Sequence, residues 1–313
     1  MKDFDFYRYY PTEFQDLLEQ KYETDNYVGQ GNPNSSILII GKECSIERGC
    51  NKDCKECDEE YREKRCKADY KAFLDNLKIW RKKAPIKNNW FDKDHWPWED
   101  YHPRYPYYGQ LMLPDNKGNL ENTNRGTSPT WVAIQRFINY FLPECQRVQA
   151  RQQLNFYDYC FMTELSCNCM PKSDRPNEET KESIKKRLSP GGILTHPFFR
   201  KFPVIILYIY HYFDWYRDIN IIQAFEGETK YNYKGIIVSE EVYAQYDEET
   251  KKRIPLYRAN NDFKKGEFIN VHISEDGTQI LIHTNHFLDV YQPRSDVWME
   301  ELADTVKPFL GNI

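Results

Sequence analysis

Four short apolar runs each end on an ionisable side chain. Residues 36–41 lead into Lys42 and Glu43, residues 160–163 into Glu164, residues 203–210 into His211, and residues 279–282 into His283. Carboxylates and imidazoles are the residue types of general acid–base work, and two of each also make a divalent-metal set. Short, β-branched, nearly all-apolar runs suit strands buried on both faces, as in a parallel sheet flanked by helices. In open sheets of that kind ligands gather at the carboxyl ends of the strands. The four ionisable ends are therefore expected to converge on one edge.

A second group is made of thiols. Cys50, Cys54 and Cys57 follow a C-x3-C-x2-C spacing, with Cys44 before and Cys66 after. Thiols three or four residues apart can grip one metal from a tight turn, and a fourth closes a tetrahedron. Structural zinc is the expected occupant, with Cys66 or Cys44 as the fourth ligand, and an iron–sulfur cluster is the alternative. The spacing also resembles the radical-SAM cluster motif, but Glu56 stands where those proteins favour an aromatic. Cys160, Cys167 and Cys169 flank the second run and read as buried thiols.

The elements that must position these groups are legible in outline. The chain has 313 residues, enough for one large α/β domain, and 24 Tyr and 18 Phe make its core unusually aromatic. A net charge of -5 argues against nonspecific coating of nucleic acid. No apolar run approaches the roughly 20 residues needed to cross a bilayer, and the acidic, aromatic start does not resemble a signal peptide. The nine cysteines are accordingly expected to be reduced or metal-bound, in a cytoplasmic protein.

Residues 11–25 carry Phe14, Leu17, Leu18 and Tyr22 at helical spacing, with Thr12 as N-cap. Residues 44–125 read as a Cys- and aromatic-rich insertion packed on the main sheet of a single domain, 1–313, with a charged helix-like stretch at 59–83. Ser128-Pro129-Thr130-Trp131 starts a helix, and residues 178–188 and 296–310 form two more. Between the third and fourth runs lies a long connection, 212–266, expected to hold small extra strands. Residues 268–273 and 279–283 flank Glu275-Asp276-Gly277, a hairpin turn that gives the fourth strand an antiparallel edge neighbour.

In order and spacing these strand ends resemble the uracil-DNA glycosylase superfamily. Gly41-Lys42-Glu43-Cys44-Ser45 sits where that family has a Gly-Gln-Asp-Pro-type loop, and Ser128-Pro129-Thr130-Trp131 is similar to its Pro-Ser-Leu-type helix start. Thr163 or Glu164 falls at the base-reading strand end, and Tyr210-His211 follows the third strand. His283-Thr284-Asn285-His286-Phe287-Leu288 stands in place of a His-Pro-Ser-Pro-Leu-Ser motif. Both loops lack the family's prolines, and Lys42 and Glu164 are charged where many members are neutral.

The resemblance implies a three-layer α/β/α fold around a four-stranded parallel sheet, and hydrolysis of the N-glycosidic bond of uracil or another deaminated base in DNA. Glu43 would activate water and stabilise the oxocarbenium-like sugar, while His283 would stabilise the departing base anion. Lys42, Thr163, Glu164, Tyr210, His211, Asn285 and His286 would contact substrate, and Phe287 or Leu288 would wedge the base stack. That chemistry needs no cofactor. Two other classes fit the same residues: a nucleotide- or nucleic-acid-binding protein that has lost the chemistry, and a metal-dependent hydrolase using Glu43, Glu164, His211 and His283.

Overall fold

The structure, a computed structural model, describes residues 9–20, 27–45, 75–81, 103–106, 111–112, 129–170, 177–210, 212–253, 256–259, 262–264, 266–289, 292–293 and 295–311. Its main sheet is built from β1 (Gln30–Gly31), β2 (Ile37–Ser45), β3 (Cys160–Met170), β4 (Val204–Leu207), β5 (Tyr231–Val238), β6 (Leu256–Ala259), β7 (Phe268–Ser274) and β8 (Ile280–Thr284). A separate two-stranded ribbon joins β9 (Leu288–Asp289) to β10 (Gln292–Pro293). The helices are α1 (Thr12–Glu19), α2 (Asn76–Arg81), α3 (Pro129–Asn139), α4 (Glu178–Leu188), α5 (Pro197–Arg200), α6 (Tyr212–Trp215), α7 (Glu240–Ala244), α8 (Glu248–Arg253) and α9 (Asp296–Val306). Among the described residues no helix is long and apolar enough to cross a membrane.

The fold is α/β, with an eight-stranded mixed sheet in the order β1-β3-β2-β4-β8-β7-β5-β6. Within it β3, β2, β4 and β8 run parallel, whereas β7 is antiparallel to both β8 and β5. The sheet is thus larger than four strands, and β7 is not an edge. The reason lies in the connection 212–266. Ile236, Ile237 and Val238 at the end of β5 are buried, so the extra strands expected in that segment join the main sheet past β7.

Pleating divides the strands between two cores. Ile37, Ile39, Val204, Ile206, Ile280 and Ile282 face Ile134, Phe137 and Ile138 of α3 and Trp298 and Leu302 of α9. The intervening Leu38, Ile40, Ile205, Leu207 and Leu281 face Phe14, Leu17 and Leu18 of α1, Ile184 of α4 and Phe198 of α5. These strands are buried on both sides, which is why their sequences read as unbroken apolar runs.

Polar clamps fix the periphery. Asn76 is fully buried; its Oδ1 accepts from the N–H groups of Val28 and Gly29, and its Nδ2 donates to the Gly29 carbonyl at 2.9 Å. Trp80 Nε1 donates to the same carbonyl, so α2, inside the segment read as an insertion, holds the chain that enters β1. Thr12 was expected to cap α1, but Pro11 takes the N-cap position and no side chain caps it. Asn177 caps α4 and Ser295 caps α9, each accepting from a backbone N–H three residues on.

Two histidines tie this packing to pH. His272 lies half-buried 5.0 Å from the Tyr233 ring, and burial pulls its pKa from the usual 6.5 to about 4. His196 accepts from the Phe198 N–H through Nδ1, and burial lowers its pKa too. The unfolded chain therefore binds more protons than the folded one below about pH 6.5, and stability falls as pH drops through that range toward 4. The His272 contribution is up to about 3 kcal/mol. Urea unfolding at pH 7 and pH 4.5 should show a lower midpoint in acid, and His272→Gln should flatten much of that slope.

Candidate functional site at the switch point of the parallel strands

β2 connects through α3 to β3 on one side of it, while β3 connects through α4 and α5 to β4 on the other. The helices of these connections pack on opposite faces of the sheet. A crevice forms outside the carboxyl ends of strands whose connections diverge in this way. Here the switch point lies between β2 and β4.

The register states which side chains reach it. Thr163, Ile40, Leu207 and His283 form one row across β3, β2, β4 and β8. In the next row Glu164 pairs with Gly41, and Tyr208 donates its N–H to the Ile40 carbonyl. Adjacent rows face opposite sides. The row of Glu164, Gly41 and Tyr208 faces α3 and α9, and the row of Thr163 and His283 faces α1, α4 and α5.

Gly41 is the centre of the site. A Cβ at this position would run into Glu164 Oε2 and come within 2.6 Å of the Tyr208 hydroxyl. The carboxylate and the phenol thus share the volume that any other residue at 41 would fill. Glu164 is half-buried and Tyr208 almost fully buried. His286 presents its ring edge-on to Tyr208 at 5.0 Å. Phe287 backs the Tyr208 ring at 5.5 Å and is itself enclosed by Phe137 and Trp298. A carboxylate and a phenol hydroxyl thus meet where no side chain intrudes from β2, with an imidazole beside the phenol ring.

Several expected site residues do other work. His283 accounts for both ring nitrogens: its Nε2 donates to the Tyr210 carbonyl at 2.9 Å, which leaves Nδ1 to accept from Asn270 Nδ2 at 3.2 Å. Its ring packs 4.0 Å from that of Phe213 on the far face. It is therefore a strut, not the donor to a departing base. Tyr210, held at φ +47, takes its N–H to the Thr284 carbonyl and stacks on Phe268. Asn285, fully buried, accepts from the Phe268 N–H and donates to the Gly266 carbonyl, fixing the start of β7. Phe287 is a core residue with no exposed surface, not a wedge.

Thr163 is buried on the far face beside Arg187. Lys42 lies there too, over the Tyr212 and Trp215 rings at 5.3 and 5.4 Å. Glu43 sits on the β2 backbone opposite Ser166, and Leu288 on β9. Cys44 is also on β2, whereas His211, Cys50, Cys54, Cys57 and Cys66 lie outside the described residues. A metal shared by all four ionisable strand ends is ruled out by pleating, because Glu164 and His283 face opposite sides. Among the described residues no group of three or more His, Cys, Asp or Glu is placed to hold an ion.

Tyr208 escaped sequence reasoning because it lies inside an apolar run, where an aromatic reads as packing. Its signal was a phenol hydroxyl directly after the aliphatic residues of β4. No family model, characterised protein or solved structure matched this chain.

Two substitutions separate strut from site. Phe287→Ala is expected to cost about 3–5 kcal/mol of stability as a core truncation, where an exposed wedge would cost almost none. His283→Ala should cost about 1–3 kcal/mol by leaving the Tyr210 carbonyl without its donor. Chemical denaturation of each variant measures both.

Proposed function

We propose that this protein hydrolyses the N-glycosidic bond of a nucleobase in DNA, on a core of the uracil-DNA glycosylase-like kind formed by β3, β2, β4 and β8. The observation that carries the reading is the meeting of Glu164 and the Tyr208 hydroxyl over Gly41 at the switch point. A flipped base needs a snug pocket with hydrogen-bonding groups at its polar edge, and these two side chains supply them. The parallel order of the four strands and the helices on both faces support the same reading.

In this proposal Glu43, at the end of β2, supplies the carboxylate that orients water and stabilises the oxocarbenium-like sugar. The imidazole role passes from His283 to His286, which shares a face with Glu164 and Tyr208. The departing base leaves as an anion, stabilised by donors at its oxygens. A protein of the same fold that binds bases without cleaving them is the alternative class.

The test is base release from labelled single- and double-stranded oligonucleotides carrying uracil, hypoxanthine or 8-oxoguanine, in EDTA, read by alkaline cleavage. Release by the wild type is expected on at least one substrate. Glu43→Gln should lower it by about 10²-fold or more. Gly41→Ala, which displaces both site oxygens, should lower it by about 10²-fold. Absence of release from every substrate would reject the hydrolase and leave the binding protein.

A further inference from the structure

β2 and β3 run on past the rest of the parallel sheet. β4 pairs with β2 only as far as Leu207 opposite Ile40, whereas β2 continues to Ser45 and β3 to Met170. Along this extension Gly41 lies opposite Glu164 and Glu43 opposite Ser166, but the next matched pair is Ser45 with Met170. Two steps of β2 are therefore set against four of β3. At a rise of about 3.3 Å per residue, β3 advances roughly 7 Å here, where a regular strand would advance roughly 13 Å. The surplus is a bulge, Cys167-Asn168-Cys169, and the single residue of β2 opposite it is Cys44.

Three cysteines thus come to one register position from two segments far apart in sequence. Alternation assigns Cys44 to the face of Lys42, which lies over Tyr212 and Trp215. Cys167 is on that face too, its Sγ 3.2 Å from Ser183 Oγ on α4. Neighbouring strands are about 4.8 Å apart, so residues at such a position are within reach of one ion. The side chains of Cys44 and Cys169 lie outside those described; the register alone brings these two in, and the described side chains by themselves form no metal set.

The contacts of Cys167 suit a metal-bound sulfur. Ser183, almost fully buried, accepts from the Cys167 N–H at 3.0 Å, which leaves its own proton for the Cys167 sulfur. Partners of this kind, one shell out, orient the ligands of a metal. Cys160, at the other end of β3, is different. It is fully buried, its thiol donates to the Phe156 carbonyl, and burial pushes its pKa up, so it serves as packing.

We infer that Cys44, Cys167 and Cys169 bind a thiophilic metal ion, zinc by their chemistry, at the bulge where β2 and β3 leave the sheet. Three thiolates from two strands suit a tetrahedral ion whose fourth position is filled from outside this set. The ion takes Cys44 away from the sequence-near group of Cys50, Cys54 and Cys57. It clamps the end of β2 one residue beyond Glu43 and has no part in base release, so the inference stands whether or not the protein is a hydrolase.

The test is alkylation of the native full chain with N-ethylmaleimide, with and without excess zinc, read at each cysteine by peptide mass spectrometry. Zinc should suppress labelling of Cys44, Cys167 and Cys169 together and leave the exposed Cys145 labelled, and a chelator should restore it. Cys167→Ser should abolish the protection of Cys44 and Cys169, and Ser183→Ala should weaken zinc affinity by about 10-fold or more. Protection of Cys44 with Cys50, Cys54 and Cys57 but without Cys167 and Cys169 would overturn the inference. So would protection of none of the three, protection unchanged in Cys167→Ser, or a Cys44–Cys167 disulfide in the freshly purified chain. The wild-type comparison needs no variant to fold.

Discussion

The in-register pairing of β3, β2, β4 and β8 decides every other feature of the site. Side chains alternate across the sheet, so a one-residue slip of any strand would turn all of its residues to the other face. The two cores pin that register, because Ile37, Ile39, Val204 and Ile206 must meet α3 and α9 while Leu38, Ile40, Ile205 and Leu207 meet α1, α4 and α5. Burial at roughly 25 cal/mol per Å² makes a slipped register costly along four strands at once. Glu164, Gly41 and Tyr208 meet only because this packing holds.

A second set of contacts keeps the loops at the carboxyl edge from wandering. The chain after β4 turns through Tyr210, whose left-handed conformation is uncommon for a bulky residue. It persists because both of its peptide groups are tied, the N–H to Thr284 and the carbonyl to His283. On the other side of the sheet Phe287 backs the Tyr208 ring and is itself held by Phe137 and Trp298. Tyr208 directly follows β4, its N–H is bound to the Ile40 carbonyl of β2 and its ring is backed by the core, which fixes its position better than a free loop would.

The sequence disclosed the strands and hid their meeting. Continuous apolar runs are legible because strands buried on both faces leave no polar alternation: the runs 36–41, 203–210 and 279–282 contain β2 from Ile37, β4 at Val204–Leu207 and β8 from Ile280, although β4 stops three residues before its run does. Which of their terminal residues share a face depends on a register between segments more than a hundred residues apart, and local pattern carries no record of it. For that reason Lys42 and His283, read as partners of Glu164, lie on the opposite side. The tract 285–287 shows the same limit at close range. Three consecutive residues read as one recognition set, yet Asn285 holds β7 and Phe287 fills the core, leaving His286 to the site. In sequence Gly41 reads as the last residue of an apolar run and the first of a loop. Its use here, as room for a neighbour's carboxylate, exists only once β3 is laid beside β2.

The buried acid Glu267 shows how far from the edge this ordering reaches. Its carboxylate accepts from the Ser295 N–H and hydroxyl and from the Lys264 N–H, and it is fully enclosed. It thereby ties the chain entering β7 to the first turn of α9, while Asn285 ties the chain leaving β8 to the same entry. Trp298 on α9 then donates to the Phe268 carbonyl and packs against Phe287. The loop that carries His286 is accordingly bounded by polar clamps on one side and an aromatic wall on the other. Groups held in this way pay little reorganisation when charge develops near them. That economy matters for the proposed site, in which Glu164, Tyr208 and His286 act with Glu43.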